Sequence, residues 1–369
     1  MRIVLVISSL GVGGAERVLS DMANYWATKG WCITVITVAG DEIPDFYPLQ
    51  PGVQRLRLGL AGETQGVFQK LGNNLRKVWH LRREIRAIHP DAVISFMDVN
   101  NVLTLLATIS MGLRVFASER IDPAVNTNIG HVWAVLRGRV YRRAAAVVGQ
   151  TRIVAIWLEA HCRANAVTIP NPLRELPLPQ SVREKMVLSV GRLDRQKGHD
   201  VLIEAFARVH AQFSDWRLVI LGEGTERDSL HRLAVSLGIS TIVDMLGCVN
   251  DPEQWMARAG LVVQSSRLEG FPNVVMEAMA MGAAVISTDC RSGPSELIRD
   301  GENGRLVPVD DVARLAMAMA ELMADQKERG RLGISAMEIR QRYAQEKIMS
   351  HWERLLSDPT TFHSEEKNV

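Results

Sequence analysis

Two glutamates, Glu269 and Glu277, stand in the run SSRLEGFPNVVMEAMAMG that occupies residues 265–282. A strand is expected to end near Gln264, Gly270 and Pro272 prepare a helix start, and Glu277 falls about a turn inside that helix. Backbone amides around Phe271, Asn273, Val274 and Val275 would face outward there, where unpaired N–H groups and the helix dipole favour an anionic or hydroxyl oxygen. Carboxylates accept paired hydrogen bonds from vicinal diols, so two glutamates flanking this turn suit a ligand with both sugar hydroxyls and phosphate. Acidic residues near a helix start also complement the dipole for about 0.3 to 1 kcal/mol each. That explains Glu277 but not Glu269, which reads as part of an exposed loop before Gly-Phe-Pro.

A second basic motif, VGRLDRQKG at 190–198, follows an apolar strand-like run and contains Gly191, Arg192 and Lys197. Arginine brings a forked donor and lysine a mobile point charge, and together they neutralise a diphosphate without a metal. A third motif, GVGGAE at 11–16, puts Gly13 and Gly14 between the first strand and the first helix. Such a turn lets backbone approach a phosphate, although tight turns need glycine for geometry alone. The dinucleotide fingerprint would require a third glycine where Glu16 stands, and the chain has no Gly-Lys-Ser/Thr, so neither a dehydrogenase nor a P-loop enzyme is expected. There is no Asp-x-Asp to carry a metal-bound diphosphate, the nine histidines show no ligand spacing, and the four cysteines are far apart. Neither a metal nor a cofactor is expected. His199 reads as a solvated or core residue rather than a catalyst, and the methionines Met276, Met279 and Met281 read as core residues.

Elements must bring these motifs together. The 369 residues predict about two domains, and 47% hydrophobic with 23% charged residues describes a globular chain. Short β-branched runs at 2–8, 32–38, 53–57, 92–96, 115–118 and 145–148 alternate with helical patterns, and a second set follows at 186–190, 217–221, 242–246, 261–264, 284–287 and 305–307. That alternation predicts an α/β chain with two doubly wound parallel sheets. Four prolines within 170–179 mark a linker. The expected division is a first doubly wound domain at 1–169, a linker at 170–184, a second doubly wound domain at 185–340, and a final helix and tail at 341–369. The helical pattern at 325–356 is long enough to cross back to the first domain. Doubly wound domains bind ligands beyond the carboxyl ends of their strands.

The motifs GRL at 191–193, Lys197-Gly198, EGFPNVVME at 269–277, AMAMG at 278–282 and GENG at 301–304 together resemble the family 4 retaining glycosyltransferases of GT-B fold, and the resemblance spans most of the chain. It implies a UDP- or GDP-sugar donor on the second domain, an acceptor over the first, and retaining, metal-independent hexosyl transfer. Carried over by motif, Arg192 and Lys197 would hold the diphosphate, Glu269 the sugar hydroxyls and Glu277 the ribose, with Gly13, Gly14, Gly191, Gly270, Phe271, Pro272, Asn273 and Val274 lining the donor. The chain departs from many relatives, which have a histidine where it reads ASERIDP at 117–123. There Glu119 and Arg120 are candidates for an acceptor's hydroxyl and phosphate, a surface ion pair being the competing reading. The segment DCRSGP at 289–294 adds a likeness to bacterial enzymes that extend lipid-linked glycans for polysaccharide or glycoprotein assembly. A soluble acceptor and a non-catalytic nucleotide-sugar-binding module are the alternatives.

Charge distribution bears on the acceptor. The net charge is only +2, but residues 51–150 hold 14 Lys/Arg against 6 Asp/Glu. Within this stretch, 70–88 reads as an amphipathic helix with Leu71, Leu75, Val78, Trp79, Leu81, Ile85 and Ile88 on one face, and Arg76, Lys77, Arg82, Arg83 and Arg86 largely elsewhere. Such a helix suits either a core-facing role or an anionic membrane surface. No run is long enough to span a bilayer. A cytoplasmic protein, peripheral on the inner face of the plasma membrane, is expected, with no nucleic-acid partner.

Overall fold

A computed structural model describes residues 1–40, 42–60, 67–126, 129–179 and 182–359. The tail from 360 onward and positions 180–181 of the linker lie outside the described residues, as do the side chains of residues 67, 68 and 70. Contacts divide the chain into two compact units, Met1–Pro172 with Glu346–Val369, and Leu173–Gln345.

The first unit is built on strands β1 (Arg2–Ile7), β2 (Cys32–Thr37), β3 (Gln54–Arg57), β4 (Ala92–Phe96), β5 (Arg114–Ser118), β6 (Ala146–Gly149) and β7 (Ala166–Thr168). Their order is β3-β2-β1-β4-β5-β6-β7, all parallel. The near-continuous apolar runs exist because helices cover both faces of such a sheet: five of six residues in β1 are buried. The seventh strand is an addition to the six expected from sequence; its three residues, Ala-Val-Thr, are too short for a periodic signal. Helix Gly14–Thr28 follows β1 and buries Val18, Leu19, Met22 and Trp26 at helical spacing.

The second unit carries β8 (Glu184–Val190), β9 (Arg217–Leu221), β10 (Val243–Gly247), β11 (Ala259–Gln264), β12 (Val285–Thr288) and β13 (Arg305–Val307), in the order β10-β9-β8-β11-β12-β13. Both sheets are doubly wound. The strand order reverses between β1 and β4 in the first and between β8 and β11 in the second, so the loops after those strands flank the switch points where such sheets bind ligands. All three glycine- and glutamate-bearing motifs leave one of these strands.

The helical pattern at 325–356 is not one helix. It breaks into Gln326–Ala336, Ile339–Arg342 and Gln345–Ser357. The last helix packs on the first unit, where Lys29 Nζ meets Glu353 Oε1 at 2.8 Å and Trp352, Leu355 and Leu356 are buried.

The basic helix also differs from its expected form. Over Val67–Ile88, Leu81 and Ile85 are fully buried, but Leu71, Leu75 and Trp79, one turn apart on an adjoining stripe, are 58%, 62% and 56% exposed. Arg82 is not a free surface cation: its Nη1 donates to the carbonyls of Ala107 and Ile109 at 2.8 and 2.7 Å, satisfying the carboxyl end of helix Asp98–Ala107.

Candidate functional site

In the second unit, the loop after β8 turns through Asp194, whose Oδ1 accepts from the Lys197 amide at 3.1 Å. It then passes Gly198 at φ 64°, where a Cβ would lie 2.1 Å from the Ser265 carbonyl oxygen. The loops after β8 and β11 therefore lie backbone against backbone. Side chains stitch them further: Ser265 Oγ donates to the Lys197 carbonyl at 3.1 Å and Gln196 Nε2 to the Leu268 carbonyl at 2.8 Å.

This close approach brings Lys197 Nζ within 2.7 Å of Glu269 Oε1, on which Ser266 Oγ and Gln264 Nε2 also converge at 2.6 and 2.9 Å. Glu269 is buried rather than on an exposed loop, and Lys197 is held rather than mobile. Burial opposes ionisation of Glu269, but the Lys197 charge and the three hydrogen bonds outweigh it and hold the carboxyl below the usual range. Gln264 and Ser266 were not singled out from sequence, because neither type signals a site until the fold aims it. Arg192 leaves the same loop differently: its side chain is 60% exposed, with Nη2 2.9 Å from Asp194 Oδ2.

Helix Asn273–Ala280 starts after Pro272 with no side-chain cap, and Asn273 and Val274 are its half-buried first-turn positions. Gly270 accepts at its carbonyl from Ser292 Oγ at 3.2 Å, and the Phe271 ring is buried against Tyr343, centroids 5.7 Å apart. Glu277 is buried on this helix, and Arg174 Nε lies 3.8 Å from its Oε1. Met276, Met279 and Met281 are buried in the core, as is His199, whose burial pushes its pKa down to about 4.

In the first unit, Gly13 and Gly14 open helix Gly14–Thr28 and the Glu16 carboxylate folds back over the loop, 2.1 Å from where a Gly13 Cβ would stand. On the same carboxyl edge of the sheet, Arg120 follows β5. Its guanidinium stacks on the Phe96 ring at 3.6 Å and Nη1 donates to Asn171 Oδ1 at 2.6 Å, while Nε and Nη2 are buried without a hydrogen-bond partner. Burial pushes its pKa down to about 9, with the Glu16 charge opposing.

Glu119 does not fit the acceptor-hydroxyl role. It is 3% exposed, accepts from the Tyr141 hydroxyl at 2.5 Å and has Arg137 Nη1 at 3.9 Å. Asn101 extends the network by donating to Tyr141 Oη at 3.1 Å. These partners lie on other elements, which is why the local sequence suggested only a turn. Burial pushes the Glu119 carboxyl up to about 7, against the Arg137 charge and the Tyr141 hydrogen bond. A carboxyl raised in the fold stabilises fully below its unfolded value and loses that contribution as pH rises through the folded one. The interval from 4.5 to about 7 corresponds to about 3 kcal/mol. Glu119→Gln is thus expected to melt higher relative to the native chain at pH 8 than at pH 5; a difference independent of pH would contradict this titration.

Among the described residues, no group of three or more His, Cys, Asp or Glu is gathered to hold a metal ion, and no helix is long and apolar enough to cross a membrane.

Two family models account for most of the chain: one described as Glycosyltransferase Family 4 matches residues 12–174, and one described as glycosyl transferases group 1 matches 177–338. Among curated relatives, the Campylobacter jejuni GalNAc-alpha-(1->4)-GalNAc-alpha-(1->3)-diNAcBac-PP-undecaprenol alpha-1,4-N-acetyl-D-galactosaminyltransferase is 27% identical over 97% of this chain and 99% of its own length. The amylovoran biosynthesis glycosyltransferase AmsD of Erwinia amylovora is 27% identical over 96% of this chain and 99% of its own. Among solved structures, Anabaena HepE in complex with UDP superposes with a TM-score of 0.77 at 21% identity, covering 97% of this chain and all of that one.

Proposed function

Because the chain belongs to the family 4 glycosyltransferases and has the GT-B fold, we propose that it transfers a hexosyl group from a UDP- or GDP-sugar to a lipid-linked glycan, retaining the anomeric configuration. The observation that carries this reading is the Lys197–Glu269 pair, fixed at the switch point of the second sheet where Arg192 leaves the same loop. In this assignment Arg192 and Lys197 neutralise charge developing on the departing diphosphate, helped by the start of helix Asn273–Ala280 at Val274, where no side chain caps the backbone. Glu269 accepts donor hydroxyls through Oε2, the oxygen none of its three donors uses, and Glu277 accepts those of the ribose. Attack comes from the face the diphosphate leaves, and the leaving phosphate takes the acceptor proton. One guanidinium and one ammonium charge make the diphosphate a leaving group without a divalent ion, so turnover is expected to survive chelation.

On the first unit we assign Arg120 to the acceptor. Its rigid stacking on Phe96 and its two buried, unpartnered N–H donors suit a phosphate, such as the one nearest the sugar of a polyprenyl-diphosphate glycan. The relative named for an undecaprenol-linked substrate and the UDP complex of HepE support the acceptor and donor classes. A thermal-shift screen of UDP- and GDP-sugars, followed by turnover on polyprenyl-diphosphate glycans, tests the assignment. A donor at about 100 times its dissociation constant stabilises the fold by about 2.7 kcal/mol. Absence of any shift and any turnover with the folded chain would overturn it.

A lipid-linked acceptor stays in the bilayer, and we assign the exposed stripe of the basic helix to that surface. Leu71, Leu75 and Trp79 offer apolar area beside the exposed cations Arg76, Arg83 and Arg86, each worth about 1 kcal/mol near an anionic leaflet. The chain is expected to sediment with anionic vesicles at low salt and to be released by Leu75→Glu/Trp79→Glu. Equal binding by this double variant would remove the helix from the membrane contact.

A further inference from the structure

Arg174 touches the machinery of the second unit without having been visible from any motif. It lies at the start of that unit, in a strap secured on both sides. Leu173 donates its amide to the Tyr343 carbonyl at 2.8 Å, and Arg340 Nη1 donates to the Leu176 carbonyl at 3.0 Å. The same Arg340 donates through Nε to the Ala280 carbonyl at 2.7 Å, tying the strap to the carboxyl end of the helix that bears Glu277. Within this frame the Arg174 side chain runs between two carboxylates. Nη2 donates to Glu253 Oε2 at 2.7 Å, and Nε, buried and without a hydrogen-bond partner, lies 3.8 Å from Glu277 Oε1.

A planar guanidinium anchored at one edge has little freedom at the other, so the Nε edge presents a fixed positive charge to Glu277. Glu277 is buried, and burying a carboxylate beside a guanidinium costs less than burying it alone. A carboxylate that accepts from two adjacent hydroxyls uses both oxygens, so its orientation must be fixed. We propose that Arg174 is a positioning residue that holds Glu277 for the vicinal hydroxyls of the donor's ribose. It does not touch the nucleotide itself. The proposal rests on the reading of Glu277 as the ribose residue, and it adds the linker strap and Glu253 to the parts that set ribose recognition.

The test measures binding of UDP, GDP and their 2′,3′-dideoxy forms to the whole chain by calorimetry. The proteins are the native chain, Arg174→Met, Arg174→Lys, Glu277→Gln and the Arg174→Met/Glu277→Gln double variant. Arg174→Met is expected to weaken the nucleotide that binds by about tenfold, and its dideoxy form by less than about twofold, so the preference for ribose shrinks. Arg174→Lys keeps the charge and recovers part of that preference. In the Glu277→Gln background, Arg174→Met is expected to add less than about twofold, because the two side chains act as one unit.

A merely structural role would weaken ribose and dideoxy nucleotides alike, and that result overturns the proposal. So does an Arg174→Met loss as large without Glu277 as with it. The ribose reading fails separately: if Glu277→Gln leaves the ribose preference intact, or neither nucleotide binds the native chain, that assignment falls and this one with it. A melting curve for each variant shows whether the binding change occurs in a folded chain.

Discussion

Lys197→Met is expected to lower both turnover and melting temperature, whereas Arg192→Ala lowers turnover alone. The difference comes from where each charge sits. Lys197 pairs with a buried carboxylate, and removing one partner of a buried pair costs about 3 to 5 kcal/mol because the other charge is stranded. Arg192 is 60% exposed and its pair with Asp194 is worth about 0 to 1 kcal/mol. Either loss should reduce kcat by about ten- to a thousandfold if both cations stabilise diphosphate departure. Acid titration separates the two further. In the native chain the depressed Glu269 carboxyl contributes stability above its unfolded value of 4.5, lost as pH falls through the folded one. Without Lys197 its charge and hydrogen bond no longer offset burial, so the depression shrinks and with it the stability gained above 4.5. Melting curves between pH 4 and 8 therefore should show Lys197→Met least impaired in acid. Unchanged melting at every pH would contradict the buried pair.

Gly198→Ala is expected to be at least as damaging. A left-handed residue other than glycine costs about 1 kcal/mol or more in strain, and here the new methyl group would also meet the Ser265 carbonyl at 2.1 Å. Backbone cannot step aside as a flexible side chain can, so the loops after β8 and β11 must separate, taking Lys197 away from Glu269. A loss exceeding about 3 kcal/mol is expected, with turnover abolished. Gly301→Ala isolates the strain alone: its φ is 74°, but nothing lies within 4 Å of the added Cβ. Its cost is expected to stay near 1 kcal/mol with turnover intact. Equal effects at the two glycines would mean that the close approach of the loops contributes nothing.

What the chain reveals before folding depends on how local the signal is. The strands of both sheets are legible because strands buried on two faces need uninterrupted apolar residues, and the glycine loops because their turns admit few other types. Ala166–Thr168 is not, since three residues carry no period. The helical run to 356 reads as continuous because Met337 and Tyr343, where it breaks, are not breaker residues. Glu119 was read from its neighbours in sequence, whereas Tyr141 and Arg137 decide its environment. Amphipathic spacing grouped Leu75 and Trp79 with Leu81 and Ile85, but only the later two are buried. Glu269 is legible as a functional residue, while its burial among Lys197, Gln264 and Ser266 is visible only once two loops are in contact.

The most direct test of the donor grip is the product itself. The purified chain is incubated with UDP- and GDP-α-hexoses and a polyprenyl-diphosphate glycan in the presence of EDTA, and the new linkage is read by NMR. The assignment of Arg192, Lys197 and Glu269 predicts an α-linked product formed without divalent metal, and its loss in Arg192→Ala with melting unchanged. A β-linked product, transfer that requires added Mg2+, or full turnover by Arg192→Ala would contradict it.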